Sequence, residues 1–273
     1  TRWIKIFGFS IQPSELVKVT IILALAKFYH DLKFENIKKI SFLFFPFLIL
    51  TIPFIFVVMQ PDLGTSLSIL ILGVFILFLA GIRLWKFLLG FTVIIISIPL
   101  FLRFIKPYQR DRVISFLDPE SDPLGQGYQL IQSKIALGSG GGTGKGFLQG
   151  TQSYLEYLPE KQTDFIFTLI GEEFGFLGTI FIIFLFILLI GVCYFISIKC
   201  FHVFGRIIAL GVASNIFIYV FMNIAMVSGL MPVVGIPLPL ISYGGSVMLS
   251  IMISIGLVLN VELNYNLKKF NNA

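Results

Sequence analysis

TLIGEEFGFLGTIFIIFLFILLIGVCYFISIK, residues 168–199, decides the fold. Beyond Glu173 it runs to Ile198 without a charged side chain. A helix needs about 20 mostly apolar residues to cross a bilayer, so this stretch is long enough to cross with tilt or to emerge from it. The rest of the chain has the same character. Of its 273 residues 57% are hydrophobic and only 12% charged, and the mean hydropathy is +0.96. A soluble domain carries about twice that charge, so the composition describes a polytopic membrane protein. The 31 phenylalanines suit lipid-facing helices. The net charge of +6 comes with no basic run, zinc spacing or aromatic RNA motif, so no nucleic-acid partner is expected.

Seven candidate spans follow: 13–31, 41–60, 63–82, 85–104, 168–199, 205–229 and 246–263. The first carries Glu15 and Lys18, and Pro53 and Pro99 fall inside the second and fourth. The expected fold is all-α, a single membrane domain over 1–273 containing a long extramembrane loop, 105–163. No polar linker divides it. The chain begins at Thr1 with no signal-peptide pattern, and it is expected to start inside a longer one. Cys193 and Cys200 lie about two turns apart on one helix, too far for a mutual disulfide.

Alternation of the spans puts Lys33, Lys38, Lys39, Arg83, Lys86, Lys199, Arg206, Lys268 and Lys269 on one side. The positive-inside rule makes that side cytoplasmic. Every motif-like stretch then falls on the outer face: RWIKIFGFSIQPSE (2–15), QPDLGTS (60–66), the 105–163 loop and MPVVGIPLPLISYGGS (231–246).

GSGGGTGKG (138–146) resembles a phosphate-binding P-loop but has Ser139 and Gly146 where that pattern needs Gly and Ser/Thr. It reads as a flexible hinge, or as a set of backbone N–H groups that, with Lys145, meets another kind of phosphate. In YLPEKQTDFIF (157–167), Thr163 or Asp164 can cap the coming helix. Yet Asp164 keeps company with Glu156, Glu160, Lys161, Glu172 and Glu173. Ionisable groups in a span cost roughly 2.5–3.5 kcal/mol each and should face water. Asp164 and Glu172, eight residues apart, are expected on one face of a polar cavity. Asp62 reads equally as an N-cap or as a cavity group. Glu15 and Lys18 can pair at i,i+3, with Lys18 and Arg2 offering cations to an anion.

The two histidines, His30 and His202, both fall on the cytoplasmic side. Proton transfer at the outer face must therefore use a carboxylate, Asp164 or Asp62, and Ser-His-Asp chemistry is excluded there. Arg110, Lys134, Lys145 and Lys161 surround these carboxylates with cations. A carboxylate among cations suits a phosphate leaving group, and transfer of a sugar from a lipid pyrophosphate is the bilayer-linked reaction that fits.

The stretches RWI, QPSELVK (12–18), QPDLGTS, LDPESDPLGQGYQLIQSKIALGSGGGTGKG (117–146), GTQSYLEYLPEKQTDFIF (150–167), GEEFG (171–175) and MVSGLMPVVGIPLPLISYGGS (226–246) resemble the SEDS family (shape, elongation, division and sporulation). These are membrane glycosyltransferases that polymerise peptidoglycan. GKGFLQGTQ (144–152) and PVVGIPLPLISYGGS (232–246) resemble its elongation branch, RodA, more than its division branch, FtsW. The resemblance implies ten transmembrane helices, of which these seven match the last seven, with about three N-terminal helices absent and poor stability without them. It implies lipid II as substrate, Asp164 as the essential acid, and location in the bacterial inner membrane with the motif-bearing loops outside; on the reading of the charged and polar residues, the expected substrate cavity includes Arg2, Glu15, Lys18, Asp62, Arg110, Lys134, Lys145, Glu156, Glu160, Lys161 and Ser242. Its implied partners are a class B penicillin-binding protein, which is a transpeptidase, and other elongation-machinery membrane proteins. No cofactor is required; a divalent cation (Mg or Mn) held by Asp62 or Glu15 is compatible with the pyrophosphates. Gln162 departs from the His common at that position. A lipid-linked precursor flippase is the alternative reading.

Overall fold

The computed structural model describes residues 3–6, 9–32, 41–102, 107–122, 125–155 and 157–271. Two three-residue strands, β1 (Ile4–Ile6) and β2 (Phe9–Ile11), pair antiparallel, with Lys5 opposite Ser10. All other regular elements among the described residues are helical. The long ones are α1 (Pro13–Asp31), α2 (Phe44–Met59), α3 (Leu63–Leu79), α4 (Leu84–Leu102), α8 (Ile166–Lys199), α9 (Val203–Val227) and α10 (Gly245–Asn271). Between α4 and α8 lie α5 (Pro107–Leu117), α6 (Gln126–Ser139) and the single turn α7 (Thr151–Tyr154). The seven long helices coincide in position with the seven expected spans. Among the described residues, however, only Ile166–Lys199, Val203–Val227 and Gly245–Asn264 are long and apolar enough to cross a membrane, while Phe44–Met59, Leu63–Leu79 and Leu84–Ser97 are shorter apolar helices. The all-α reading holds apart from the small hairpin. The 105–163 segment, expected as a loop, is substantially helical.

Local chemistry sets the helix ends. Pro13 occupies the first turn of α1, where its missing N–H costs nothing and its fixed φ suits the helix. Asp62 caps α3, its Oδ1 accepting from the Thr65 N–H at 3.2 Å. The C-termini of α3 and α9 share one device. After α3, Gly81 (φ 92°) bonds back to the Phe78 carbonyl and Ile82 to Leu77. After α9, Gly229 (φ 74°) bonds to Met226 and Leu230 to Ala225. Both are Schellman caps, and glycine supplies the left-handed residue each requires.

The chain divides into two compact units. The first comprises residues 1–82, 185–220 and 244–273. Its core draws on Ile22, Leu25 and Ala26 of α1, Ile69, Leu72 and Ile76 of α3, and Ala209 and Val212 of α9. Glycine lets the helices approach: a Cβ at Gly73 would meet Leu50 of α2, and one at Gly211 would meet Ile22 of α1. Ser246 at the start of α10 accepts from the Gln12 N–H and donates to the Ser10 carbonyl, tying in the hairpin.

The second unit comprises residues 83–184 and 221–243. In it Ser133 of α6, fully buried, bonds the Val227 carbonyl at the end of α9 and Thr168 of α8. Asp122 joins α5 to α6 by accepting from the Ser115 hydroxyl and the Gly127 N–H. Chiefly the Gly127 N–H holds its carboxyl below the usual carboxylate range.

Of the apolar stretch of α9, 78% is buried, against 11% for α8. That contrast assigns their roles. Polar side chains on α9 must find partners inside the protein, whereas Phe176, Leu177, Phe181 and Phe184 of α8 face outward, as lipid-contacting residues should.

A candidate active site at the head of the α8 helix

Helix α8 begins at Ile166, and the Phe165 carbonyl receives its first bonds, from Thr168 and Leu169. Asp164 therefore lies one residue outside the N-cap position, in a turn rather than on the helix. The turn starts at Glu160, whose carbonyl accepts from the Thr163 and Phe165 N–H groups, while its carboxylate accepts from the Thr163 hydroxyl at 2.9 Å. Leu158 and Phe165 anchor the turn in the core.

Three consecutive carbonyls of this turn are then taken by two other segments, residues 242–243 and helix α9. Gln162 O accepts from the Tyr243 N–H at 2.9 Å, Thr163 O from the Ser242 hydroxyl at 2.5 Å, and Asp164 O from the Asn223 amide at 2.8 Å. Ser242 also accepts from the Leu238 N–H, and Asn223 donates a second bond to the Ile236 carbonyl at 2.7 Å. Residues 242–243 thus hold the two carbonyls before the aspartate, and Asn223 of α9 holds the aspartate's own carbonyl. At Gly235 (φ 70°) a Cβ would sit 3.2 Å from Oδ2 of Asp164. The missing side chain leaves space within hydrogen-bond reach of a half-buried carboxylate.

The other expected residues fall out differently. Glu172 is fully buried and does not share an open cavity face with Asp164. Its Oε1 accepts from Lys145 at 2.8 Å, from the Thr151 hydroxyl at 3.1 Å and from the Gln152 N–H at 2.9 Å. The glycine-rich stretch is docked against α8 through its backbone. Helix α8 breaks at Gly175 (φ 66°, ψ −159°), and residues 141–146 fill the break. The Lys145 and Gly146 N–H groups bond to the Glu172 and Glu173 carbonyls, and the Phe176 and Leu177 N–H groups bond to Gly141 and Gly142. These four bonds satisfy groups that the interruption would otherwise orphan in a span. Lys145 is therefore committed to Glu172 and Thr151 rather than offered to an anion.

In the first unit, Lys18 is 1% exposed and closed into a triad. It donates to Glu15 and to the Tyr219 hydroxyl, and that hydroxyl donates to the other Glu15 oxygen. This is a buried ion pair, which corrects the expectation that Lys18 presents its charge to a ligand. Asp62 performs the capping role, and its Oδ2 accepts from Gln12 and the Thr65 hydroxyl. Both Glu15 oxygens and both Asp62 oxygens accept hydrogen bonds from protein donors. Among the described residues, no group of three His, Cys, Asp or Glu side chains gathers.

Arg110 and Glu160 are exposed, and Lys161 is half-buried. Lys134 is exposed and lies across Gly229, where residues 228–243 leave α9; a Cβ on that glycine would fall 1.9 Å from Lys134 Cε. Arg2 and Glu156 lie outside the described residues. Sequence reasoning missed Asn223 and Gly235. The available signal for Asn223 was an amide inside the apolar run of α9, one of two with Asn215, a group that costs free energy in a span unless it is bonded.

Against known proteins, the model of the FtsW/RodA/SpoVE family, described as cell cycle protein, matches residues 1–267. The chain belongs to that family. It is 45% identical over 265 residues to the peptidoglycan glycosyltransferase MrdB of Escherichia coli K12, covering 96% of this chain and 70% of that protein. It is 40% identical over 268 residues to stage V sporulation protein E of Bacillus subtilis, covering 95% and 70%. Among solved structures it resembles a chain from work on the coordination of polymerisation and crosslinking by a peptidoglycan synthase complex (TM-score 0.80, 33% identity, 97% of this chain and 73% of that one). It also resembles the rod shape determining protein RodA of Thermus thermophilus (TM-score 0.66, 25% identity, 97% and 69%). The SEDS resemblance read from the motifs is therefore correct, and the chain is a membrane protein.

Proposed function

We propose that this chain is a peptidoglycan glycosyltransferase that polymerises lipid II into glycan strands during cell elongation, with Asp164 as its general base. The observation that carries the assignment of the base is the pinned turn. Three successive carbonyls hold the backbone of Asp164, while Gly235 keeps the space beside its carboxylate open.

In the reaction, Asp164 takes the proton of the acceptor sugar's 4-hydroxyl. The oxygen attacks the anomeric carbon of the lipid-linked donor, a new C–O bond forms, and the bond to the phosphate oxygen breaks. Undecaprenyl pyrophosphate leaves with the bonding pair. A base works only within about 3 Å of the proton's oxygen, and a side chain at position 235 would occupy that space. Lys134, Lys161 and Arg110, on the same unit, supply positive charge for the pyrophosphates. The polyprenyl tails lie along the apolar helix surfaces. The motif-bearing segments face the outside of the bacterial inner membrane, and the partner is a class B penicillin-binding protein. That association is supported by the likeness to a synthase complex that couples polymerisation with crosslinking.

The experiment is polymerisation in detergent micelles, where flipping between leaflets has no meaning. The full-length protein, co-purified with its transpeptidase, is given labelled lipid II and the products are resolved on a gel. A ladder of glycan strands is expected. A folded complex that yields none would move the assignment to transport of lipid-linked precursors.

A further inference from the structure

We infer that Asn223 is a positioning residue for the reaction, acting through Asp164. The inference rests on Asp164 being the base. Asn223 sits on α9, fully buried, and both hydrogens of its amide are used. One reaches the backbone carbonyl of Asp164 itself at 2.8 Å, the other the carbonyl of Ile236 at 2.7 Å. Ile236 directly follows Gly235, the residue facing the Asp164 carboxylate. A single side chain thus fixes both walls of the gap in which the acceptor hydroxyl must sit: the base on one side and the side-chain-free backbone on the other.

The amide orientation is settled by its partners. Turned over, it would set its oxygen against two carbonyl oxygens. As placed, Oδ1 is buried and has no hydrogen-bond partner among the described residues. An unsatisfied buried acceptor costs stability. Donating twice from a fixed point takes an amide or a cation, and in an apolar span the amide is far cheaper. Ser242 and Tyr243 secure the two preceding carbonyls, so Asn223 sets the last and decisive one.

Initial rates of lipid II polymerisation across lipid II concentrations test this in the full-length protein with its transpeptidase. The comparison uses wild type, Asn223→Ala, Asp164→Asn and the double variant, with unfolding temperature and lipid II binding measured on each. Misplacing a catalytic group by an ångström costs about 10²-fold. Asn223→Ala is expected to lower kcat by about that factor, with KM and the lipid II Kd within about threefold of wild type. In the Asp164→Asn background the same change is expected to lower the residual rate by less than about twofold, because there is no base left to position.

Equal losses in both backgrounds, or a Kd that weakens in step with kcat, would make Asn223 structural and overturn the inference. If the residual rate lies below detection, the Kd comparison alone decides. If Asn223→Ala does not fold, Ser242→Ala takes its place. It removes the neighbouring clamp, is expected to lower kcat about tenfold at constant Kd, and overturns the inference if kcat is unchanged. A wild-type rate from Asp164→Asn would instead sink the assignment of the base, an outcome separate from all of these.

Discussion

Replacing Gly175 by alanine should undo the join between α8 and the glycine-rich segment. The added Cβ would lie 2.3 Å from the Gly144 nitrogen and 2.8 Å from the Gly142 carbonyl carbon and oxygen. Both are backbone, which cannot swing aside. Position 175 also holds φ 66° and ψ −159°, a region open essentially to glycine alone, and an L residue there costs about 1–3 kcal/mol. If the segment is pushed out, the four backbone bonds across the break go with it. At a net contribution of about 1 kcal/mol each, the loss totals roughly 5–7 kcal/mol. That is comparable to the whole stability of an ordinary domain, about 5–15 kcal/mol. Thermal unfolding in detergent is the assay, with Gly191→Ala as control. Gly191 lies on the same helix with nothing within 4 Å of its added Cβ. Gly175→Ala should lower the unfolding temperature by at least about 10 °C and the control should stay within about 2 °C. Equal unfolding temperatures would refute the reading of residues 141–146 as a docked plug.

Lys145→Met leaves the fully buried Glu172 carboxylate without its cation and should cost about 3 kcal/mol in the same assay. Lys18→Met should cost about 3–5 kcal/mol, and adding Glu15→Gln should recover part of it, because the pair is buried and its members are coupled. Asp62→Ala removes the α3 cap and is expected to cost about 1 kcal/mol. Asp122 has a depressed folded-state pKa, so its contribution is present above its unfolded value of about 4 and is lost as pH falls through the lower folded value. Amide exchange at Gly127 should therefore accelerate only on acidification below about pH 4, and Asp122→Asn should abolish that dependence.

The helices were legible in position from their apolar runs, and three of them, α8, α9 and the first 20 residues of α10, are long and apolar enough to cross a membrane. The first expected span, 13–31, is formed by Pro13–Asp31, although its Glu15 and Lys18 made it the least regular on hydropathy. What rescues it is Tyr219, distant in sequence and invisible to any local pattern. The docking of the glycine-rich stretch was missed for the same reason. Glycine marks either freedom or close approach, and only the partner, here the break at Gly175, distinguishes them. Asp164 stood out by chemistry, but its placement off the helix follows from Phe165 taking the N-cap position. Asn223 and Gly235 escaped because their meaning lies in contacts distant in sequence, Asn223 with the Asp164 and Ile236 carbonyls and Gly235 with the Asp164 carboxylate.

The most direct measurement is the pair of constants for Asp164→Asn: lipid II affinity and polymerisation kcat, in the full-length protein with its transpeptidase. Loss of a general base with binding intact should leave Kd within about threefold of wild type and lower kcat by about 10²–10⁴-fold. A kcat within about tenfold of wild type, in a folded complex that binds lipid II, would contradict the assignment of the base.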